Sequence, residues 1–244
     1  MNEKVKTSIR NLLNLFHLDL TRNLKYDRLT KSIIAKTVRP DTTCVDIGAH
    51  KGEILDLFLK YAPLGKHYAF EPIPVLYENL VKKYSHVAAI YPYALSDRGG
   101  ESSFQFVRNA PAYSGILKRK YDIKKPDILE IKVQLKTLDS LISGKTKVGL
   151  IKIDVEGGEF PVLKGAKNLL FRDKPYIIFE SGIGGSEFYG TVPEELYDFM
   201  TLEIGLEISL LSSWLNHQKP FSQSQFCECF HTNSEYYFLA HPAR

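Results

Sequence analysis

Four acidic residues stand where predicted β-strands end: Asp46, Glu71, Asp97 and Asp154. The first belongs to Thr43-Cys44-Val45-Asp46-Ile47, followed at once by Gly48-Ala49-His50-Lys51-Gly52. That succession describes a buried strand, a tight turn and the start of an amphipathic helix. In an open α/β sheet, ligands bind outside the carboxyl ends of the strands, where the strand order reverses. Glu71 lies 19 residues beyond Gly52, a place from which a carboxylate can accept both hydroxyls of a ribose. Asp97, after the third strand, can receive an adenine amino group. Asp46 and Asp154 flank the middle of the sheet and can hold a cationic amino group. A ligand with adenosine at one end and an amino acid at the other satisfies all four, and S-adenosylmethionine has that shape.

A dinucleotide needs a different turn. Its fingerprint, G-x-G-x-x-G, brings the backbone close to a pyrophosphate at a helix N-terminus. This chain has D-x-G-x-x-x-G, with His50 in place of the middle glycine. An NAD-dependent oxidoreductase is therefore the main rival from another class, and a catalytically silent S-adenosylmethionine-binding module is a third reading.

The elements that must position these residues alternate between strand and helix from residue 43 onward. This rhythm predicts a parallel sheet covered on both faces. Strands are expected at 43–47, 67–70, 87–94, 148–155 and 175–179. The first two intervening helices carry Ile54, Leu57, Phe58 and Tyr61, then Tyr77, Leu80, Val81 and Tyr84, on one face. Glu156-Gly157-Gly158-Glu159 leads into a further helix, with Pro161 tolerated in its first turn. Thr191 and Glu194 have capping-box spacing for a helix to about Met200. Residues 206–211, 225–230 and 235–240 read as the last strands.

Between these blocks, Arg98-Gly99-Gly100 breaks the rhythm, and strands at 102–107 and 130–136 bracket an irregular stretch from Asn109 to Asp127. Long irregular segments in compact domains are often binding loops. Here Tyr113 offers a stacking face for a sugar ring and Ser114 a hydrogen bond, although a surface loop with no ligand has nearly equal claim. Upstream, Ile9, Leu12, Leu13 and Phe16 predict a helix within 4–17, and a second is expected from about Asp27, as its N-cap, to Val38. Residues 1–40 thus form a helical appendage, and 41–244 the main domain.

Hydrophobic residues at 44% and charged residues at 25% are globular values. The net charge of +4 is mild and its basic residues are scattered, which excludes a nucleic-acid signature. Three cysteines make no disulfide framework. Cys227-x-Cys229-x-His231 invites zinc, but alternate residues of a strand share a face anyway and no second ligand pair sits nearby, so no metal site is expected. Neither a secretory signal nor a membrane span is visible, and a cytoplasmic protein is expected.

VDIGAHKGE (45–53), YAFEPIP (68–74), YALSDRGG (93–100), LKTLDSL (135–141) and LIKIDVEGGEFPVLKGA (150–166) occur in the order and spacing of the FkbM family of S-adenosylmethionine-dependent methyltransferases, which the chain resembles from roughly Asp41 to its C-terminus. One departure is His50, where many members have Asn. The resemblance implies a class I (Rossmann-like) α/β methyltransferase fold, with a seven-stranded, mostly parallel sheet whose last strand is antiparallel. It implies O-methyl transfer to a hydroxyl, and we read the acceptor as a glycan or polysaccharide precursor, with a small secondary metabolite as the alternative. By position it assigns Asp46, Gly48 and Gly52 to the methionine part of the cofactor, with Ala49 inside the same turn, Glu71 to the ribose, and Ser96 and Asp97 to the adenine.

An alcohol is a poor nucleophile until its proton leaves, so a positioned base should help. Candidates are Asp154, Glu156, Glu180 and His50. Asp154 is also a candidate for the cofactor amino group, which leaves Glu156 or His50 freer. Glu156 and Glu159 have a competing structural role at the N-terminus of the following helix. Asp154 and Glu180 could instead hold Mg²⁺, but nothing in the sequence fixes a third ligand.

Overall fold

The computed structural model describes residues 22–243 apart from 120 and 122; the helix expected within 4–17 lies outside them. The core is a seven-stranded sheet with strand order β3-β2-β1-β7-β8-β10-β9. Its strands are β1 (Thr43–Ile47), β2 (His67–Phe70), β3 (Ala88–Tyr91), β7 (Val148–Ile153), β8 (Tyr176–Glu180), β9 (Glu207–Leu210) and β10 (Tyr237–His241). Every pairing from β3 to β8 is parallel, and β10 is antiparallel to both β8 and β9. The order reverses between β1 and β7, which start the two halves of the sheet.

Alternate residues of these strands feed two apolar layers, as the period of two requires. On one face Val45, Ile47, Ile151, Ile153, Ile177 and Phe179 meet Phe160, Leu163, Leu169, Leu196 and Phe226. These last come from α5 (Glu159–Lys164), α6 (Lys167–Asp173), α7 (Pro193–Asp198) and α9 (Gln223–Thr232). On the other face Cys44, Leu150, Ile178 and Leu239 meet Ile33, Leu55, Phe58, Leu80 and Trp214. Those belong to α1 (Arg22–Thr37), α2 (Glu53–Tyr61), α3 (Pro74–Tyr84) and α8 (Leu211–Leu215). Ile33 and Ile34 of α1 are fully buried, so this helix packs into the core of the second face.

A second sheet stands beside the first. The expected strand at 87–94 splits at Pro92: β3 stays in the main sheet, and β4 (Tyr93–Leu95) joins β5 (Gly100–Val107) and β6 (Ile128–Lys136) in a three-stranded annex of order β4-β6-β5. Pro92 has no N–H to give to a ladder, which makes it the natural break. The short α4 (Leu138–Leu141) returns the chain to β7, with Thr137 capping it by accepting the Ser140 N–H.

Three further expectations are corrected. Residues 225–230 form helix, not strand. Ser222 and Gln225 make a capping box, and Phe226 and Phe230, four apart, are both buried. The alternation in Phe-Cys-Glu-Cys-Phe hid that helical spacing, and Cys227, Cys229 and His231 consequently do not share a strand face. Asp27 lies inside α1 rather than capping it. The helix after Thr191 starts from Val192, with no side-chain cap, and passes into a π-helical turn at Phe199–Glu203.

Candidate active site

A cavity of about 920 Å³ opens at the carboxyl ends of β1, β2 and β7, over the point where the strand order reverses. Its wall includes Asp46, Gly48, Ala49, His50, Glu71, Asp154 and Glu156, which the sequence had singled out, and Ser114 from the irregular segment. Tyr26 and Thr30 of α1, Lys152 and Tyr237 also line it.

The β1 turn is shaped by close approach. Gly48 has φ +81, and a Cβ there would lie 1.9 Å from the Asp154 carbonyl oxygen. The Gly48 and Ala49 N–H groups both donate to the Phe70 carbonyl at 3.0 Å, and the Asp154 N–H donates to the Ile47 carbonyl at 2.9 Å. This lattice ties the ends of β1, β2 and β7 together. Gly52 is required by another neighbour: a Cβ on it would meet the Tyr84 ring at 2.5 Å, and it is not on the cavity wall.

Asp46 is 1% exposed, and its Oδ2 has no hydrogen-bond partner within the described chain. Burial pushes its carboxyl up to about 7, against the pull of Lys152 and with help from Asp154 and Glu71. A buried acceptor without a donor is costly, and a cationic ligand amine would relieve it. Glu71 accepts the His50 N–H at Oε2 (2.8 Å) and the Ile73 N–H at Oε1 (2.9 Å). A carboxylate has about four lone-pair sites, so each oxygen keeps one for a ribose hydroxyl. Burial raises Glu71 to about 7, although both backbone donors oppose the shift. The residues present thus fit the cofactor inferred from the sequence.

Asp154 is held differently. Its Oδ2 accepts from the Tyr237 hydroxyl at 2.7 Å and from Lys152 Nζ at 2.9 Å. Burial pushes this carboxyl up, but Lys152, the Tyr237 bond and Arg119 outweigh it and hold it below its ordinary value. Tyr237 is itself stacked on Tyr26 at 4.8 Å, and Tyr26 donates to Glu235, so α1 helps to fix the Asp154 partner. Lys152 is the one charged residue of β7, a signal present in the sequence itself. Tyr237 and Tyr26 gave no comparable signal, because long-range packing alone brings them here.

Glu156 follows in a left-handed conformation, φ 61, and pairs with Arg119 from the irregular segment. Burial, then Asp154 and Glu180, raise its carboxyl well above the ordinary value, with Arg119 opposing. Glu180 is raised to about 8 by burial and by Asp154 and Glu159. Glu159 is committed locally, its Oε1 accepting the Val155 and Gly157 N–H groups at 3.0 and 3.2 Å. Among the described residues no group of three His, Cys, Asp or Glu side chains could hold a metal ion.

The other expected site residues are placed as follows. His50 sits beside Glu71, with Nδ1 4.0 Å from Glu53. Ser96 donates to Asp97 at 3.2 Å, and its carbonyl faces Gly165, where a Cβ would lie 2.0 Å away. Neither Ser96 nor Asp97 is on the cavity wall; the preceding Tyr93, Ala94 and Leu95 are. Ser114 Oγ accepts the Val107 N–H at 3.0 Å. The Tyr113 ring lies 5.0 Å from the Arg119 guanidinium instead of facing the cavity.

A sheet of this order with only β10 reversed, and an acid at the ends of β1, β2 and β7, is the class I methyltransferase architecture. The Methyltransferase FkbM domain family matches residues 46–206, and the chain belongs to that family, whose cofactor is S-adenosylmethionine. Among solved structures it is similar to Methyltransferase FkbM from Methylobacillus flagellatus KT, with a TM-score of 0.52 and 13% identity over 84% of this chain and 44% of that one. The chain thus spans under half the length of that relative. A TehB-like SAM-dependent methyltransferase from Corynebacterium glutamicum aligns over 99% of this chain and 97% of its own, with a TM-score of 0.45 and 15% identity. Aeropyrum pernix fibrillarin, in complex with S-adenosyl-L-methionine, aligns over 88% of this chain and 74% of its own, with a TM-score of 0.44 and 14% identity. No curated protein matches the sequence. No helix among the described residues is long and apolar enough to cross a membrane.

Proposed function

We propose that this chain is an O-methyltransferase that moves the methyl group of S-adenosylmethionine to a hydroxyl of a glycan or polysaccharide precursor. The observation that carries the reading is Glu156: a carboxyl on the cavity wall, raised well above its ordinary value, next to an Asp154 kept ionised by Lys152 and Tyr237. Asp46 and Asp154 would hold the methionine end, and Glu71 the ribose. Ser96 and Asp97 would serve the adenine only through a shift of their segment toward the cavity, while Tyr93 to Leu95 already line it.

When bound, S-adenosylmethionine supplies an activated sulfonium methyl. The chain supplies the rest. Asp46 and Asp154 place two carboxylates at the sheet's switch point, so a cationic ligand is oriented without moving the backbone. The Gly48 turn keeps the wall rigid, because β1 and β7 touch there. Glu156 takes the proton of the acceptor hydroxyl, burial and the neighbouring Asp154 and Glu180 having raised its affinity for protons. His50, tied to Glu71 and Glu53 at the ribose end, orients the cofactor loop and is given no proton to move. Burial of this wall keeps water from competing.

Calorimetry with S-adenosylmethionine, S-adenosylhomocysteine and NAD tests the cofactor assignment, and S-adenosylhomocysteine formation over a panel of glycans tests the transfer. Binding of NAD alone refutes the proposal. Cofactor binding without turnover on any hydroxyl acceptor leaves the silent binding module in its place.

A further inference from the structure

We infer that this protein docks on an anionic lipid bilayer through a face beside the cavity, made by residues 117–125 of the irregular segment and the loop after β8. Docking of this kind is independent of the methyl-transfer reading, since it concerns the outer surface and not the cavity wall. From Leu117 to Lys125 the sequence holds five basic residues against one acidic, a surplus of +4 that equals the net charge of the whole chain. Arg119 is used internally, paired with Glu156. Lys118, Lys124 and Lys125 are exposed, and none of them lines the cavity. Their charge faces solvent, where it acts on a large partner of opposite sign.

The same face carries apolar side chains. Leu117, Ile183 and Phe188 are 41, 42 and 42% exposed. The two segments that hold them are stitched together: the Leu117 N–H donates to the Tyr189 hydroxyl at 3.2 Å, and Arg119 donates to the Gly184 carbonyl at 3.4 Å. Ile116 and Tyr189, the chain neighbours of Leu117 and Phe188, line the cavity, so this face lies at its rim. Nearby acids are engaged: Glu187 accepts the Gly184 N–H at 2.7 Å, and Asp127 pairs with Arg108. Charge alone would suit a nucleic acid as well. Exposed aliphatic and aromatic side chains among lysines favour a bilayer. The apolar groups enter the boundary between headgroups and acyl chains, while the ammonium groups stay with the anionic headgroups. No helix among the described residues can span the bilayer, so the contact is peripheral. On the methyl-transfer reading, an acceptor borne by a lipid reaches the cavity from the membrane side.

The test is co-sedimentation of the full chain with phosphatidylcholine vesicles, with and without phosphatidylglycerol. Binding is expected only where phosphatidylglycerol is present, and it should weaken as salt rises. Lys124→Glu combined with Lys125→Glu should lower it about tenfold or more. Lys145→Glu combined with Lys147→Glu changes the net charge equally, but these exposed lysines precede β7 at its amino end, and the loss should be far smaller. Phe188→Ser should cost about tenfold, and Leu64→Ser, 77% exposed ahead of β2, nothing. Phe188→Trp should keep binding and shift its emission to the blue on anionic vesicles, against a native Trp214 that is buried; this readout separates insertion from misfolding. Absence of binding to phosphatidylglycerol vesicles overturns the inference. So do equal losses from the two lysine pairs, binding that Phe188→Ser leaves intact, or an unshifted emission of Phe188→Trp. A single-stranded RNA oligonucleotide that binds more tightly than the vesicles, and displaces the protein from them, overturns it in favour of a nucleic-acid surface.

Discussion

Replacing Asp46 by Asn should make the protein more stable at alkaline pH and worse at its task. Burial moves the Asp46 carboxyl from 3.8 to about 7 in the folded chain. The folded state therefore holds a proton that the unfolded state has already released. Stability is full below pH 4 or so, falls as pH rises toward 7, and is flat above. Between pH 5 and 8 about two units of that shift are traversed, a loss of about 3 kcal/mol at ~1.4 kcal/mol per unit. Asn is neutral and of the same size, so the variant should match wild type below about pH 4 and gain about that amount on it between pH 5 and 8. For a chain of this length that is roughly 6–12 °C in Tm. Glu71, Glu159 and Glu180 add their own pH dependence to both proteins, so the difference between them isolates Asp46. Urea unfolding of ligand-free protein at pH 5, 6, 7 and 8 provides the measurement. Affinity for S-adenosylhomocysteine should meanwhile fall about 10–100-fold, the worth of a hydrogen bond to a charged partner. Parallel stability curves, or a variant weaker than wild type at pH 8, would refute the reasoning.

The remaining predictions concern the turn, the base and the partner of Asp154. Gly48→Ala places a Cβ 1.9 Å from the Asp154 carbonyl at φ +81; it should cost about 3 kcal/mol or more and abolish cofactor binding. Gly190→Ala, at φ +67 with nothing within 4 Å, should cost only about 1 kcal/mol, and thermal unfolding compares the two. Glu156→Gln should leave S-adenosylhomocysteine affinity intact while turnover falls about 10²–10⁴-fold, as for loss of a positioned base; unchanged turnover would return Glu156 to a structural role. Tyr237→Phe removes one of the two donors to Asp154 and should raise that carboxyl, moving the acidic limb of the pH–rate profile upward. Cofactor binding should release protons between pH 6 and 8, as an incoming cation ionises Asp46, and calorimetry in buffers of different ionisation enthalpy would register it.

The sequence by itself determined the main sheet and one half of the site. Buried strands such as Thr43–Ile47 declare themselves by composition, and an acid or glycine at a strand's carboxyl end is fixed in place by that strand. Asp46, Gly48, Glu71 and Asp154 were therefore legible one by one. Tertiary structure decided what no local pattern encodes. Tyr237 reaches Asp154 across 83 residues, Arg119 meets Glu156 only because the annex folds over the β7 turn, and α1 lends Tyr26 to the same wall. Helix and strand were also confused at Phe226–Phe230, where a capping box and an i, i+4 aromatic pair prevailed over apparent alternation. Strand-end chemistry is carried by the local chain, whereas the charge state of each carboxyl depends on burial and on neighbours from distant segments. The sequence thus identified the acids, and only the packed structure separated the one whose affinity for protons is lowered, Asp154, from those in which burial raises it.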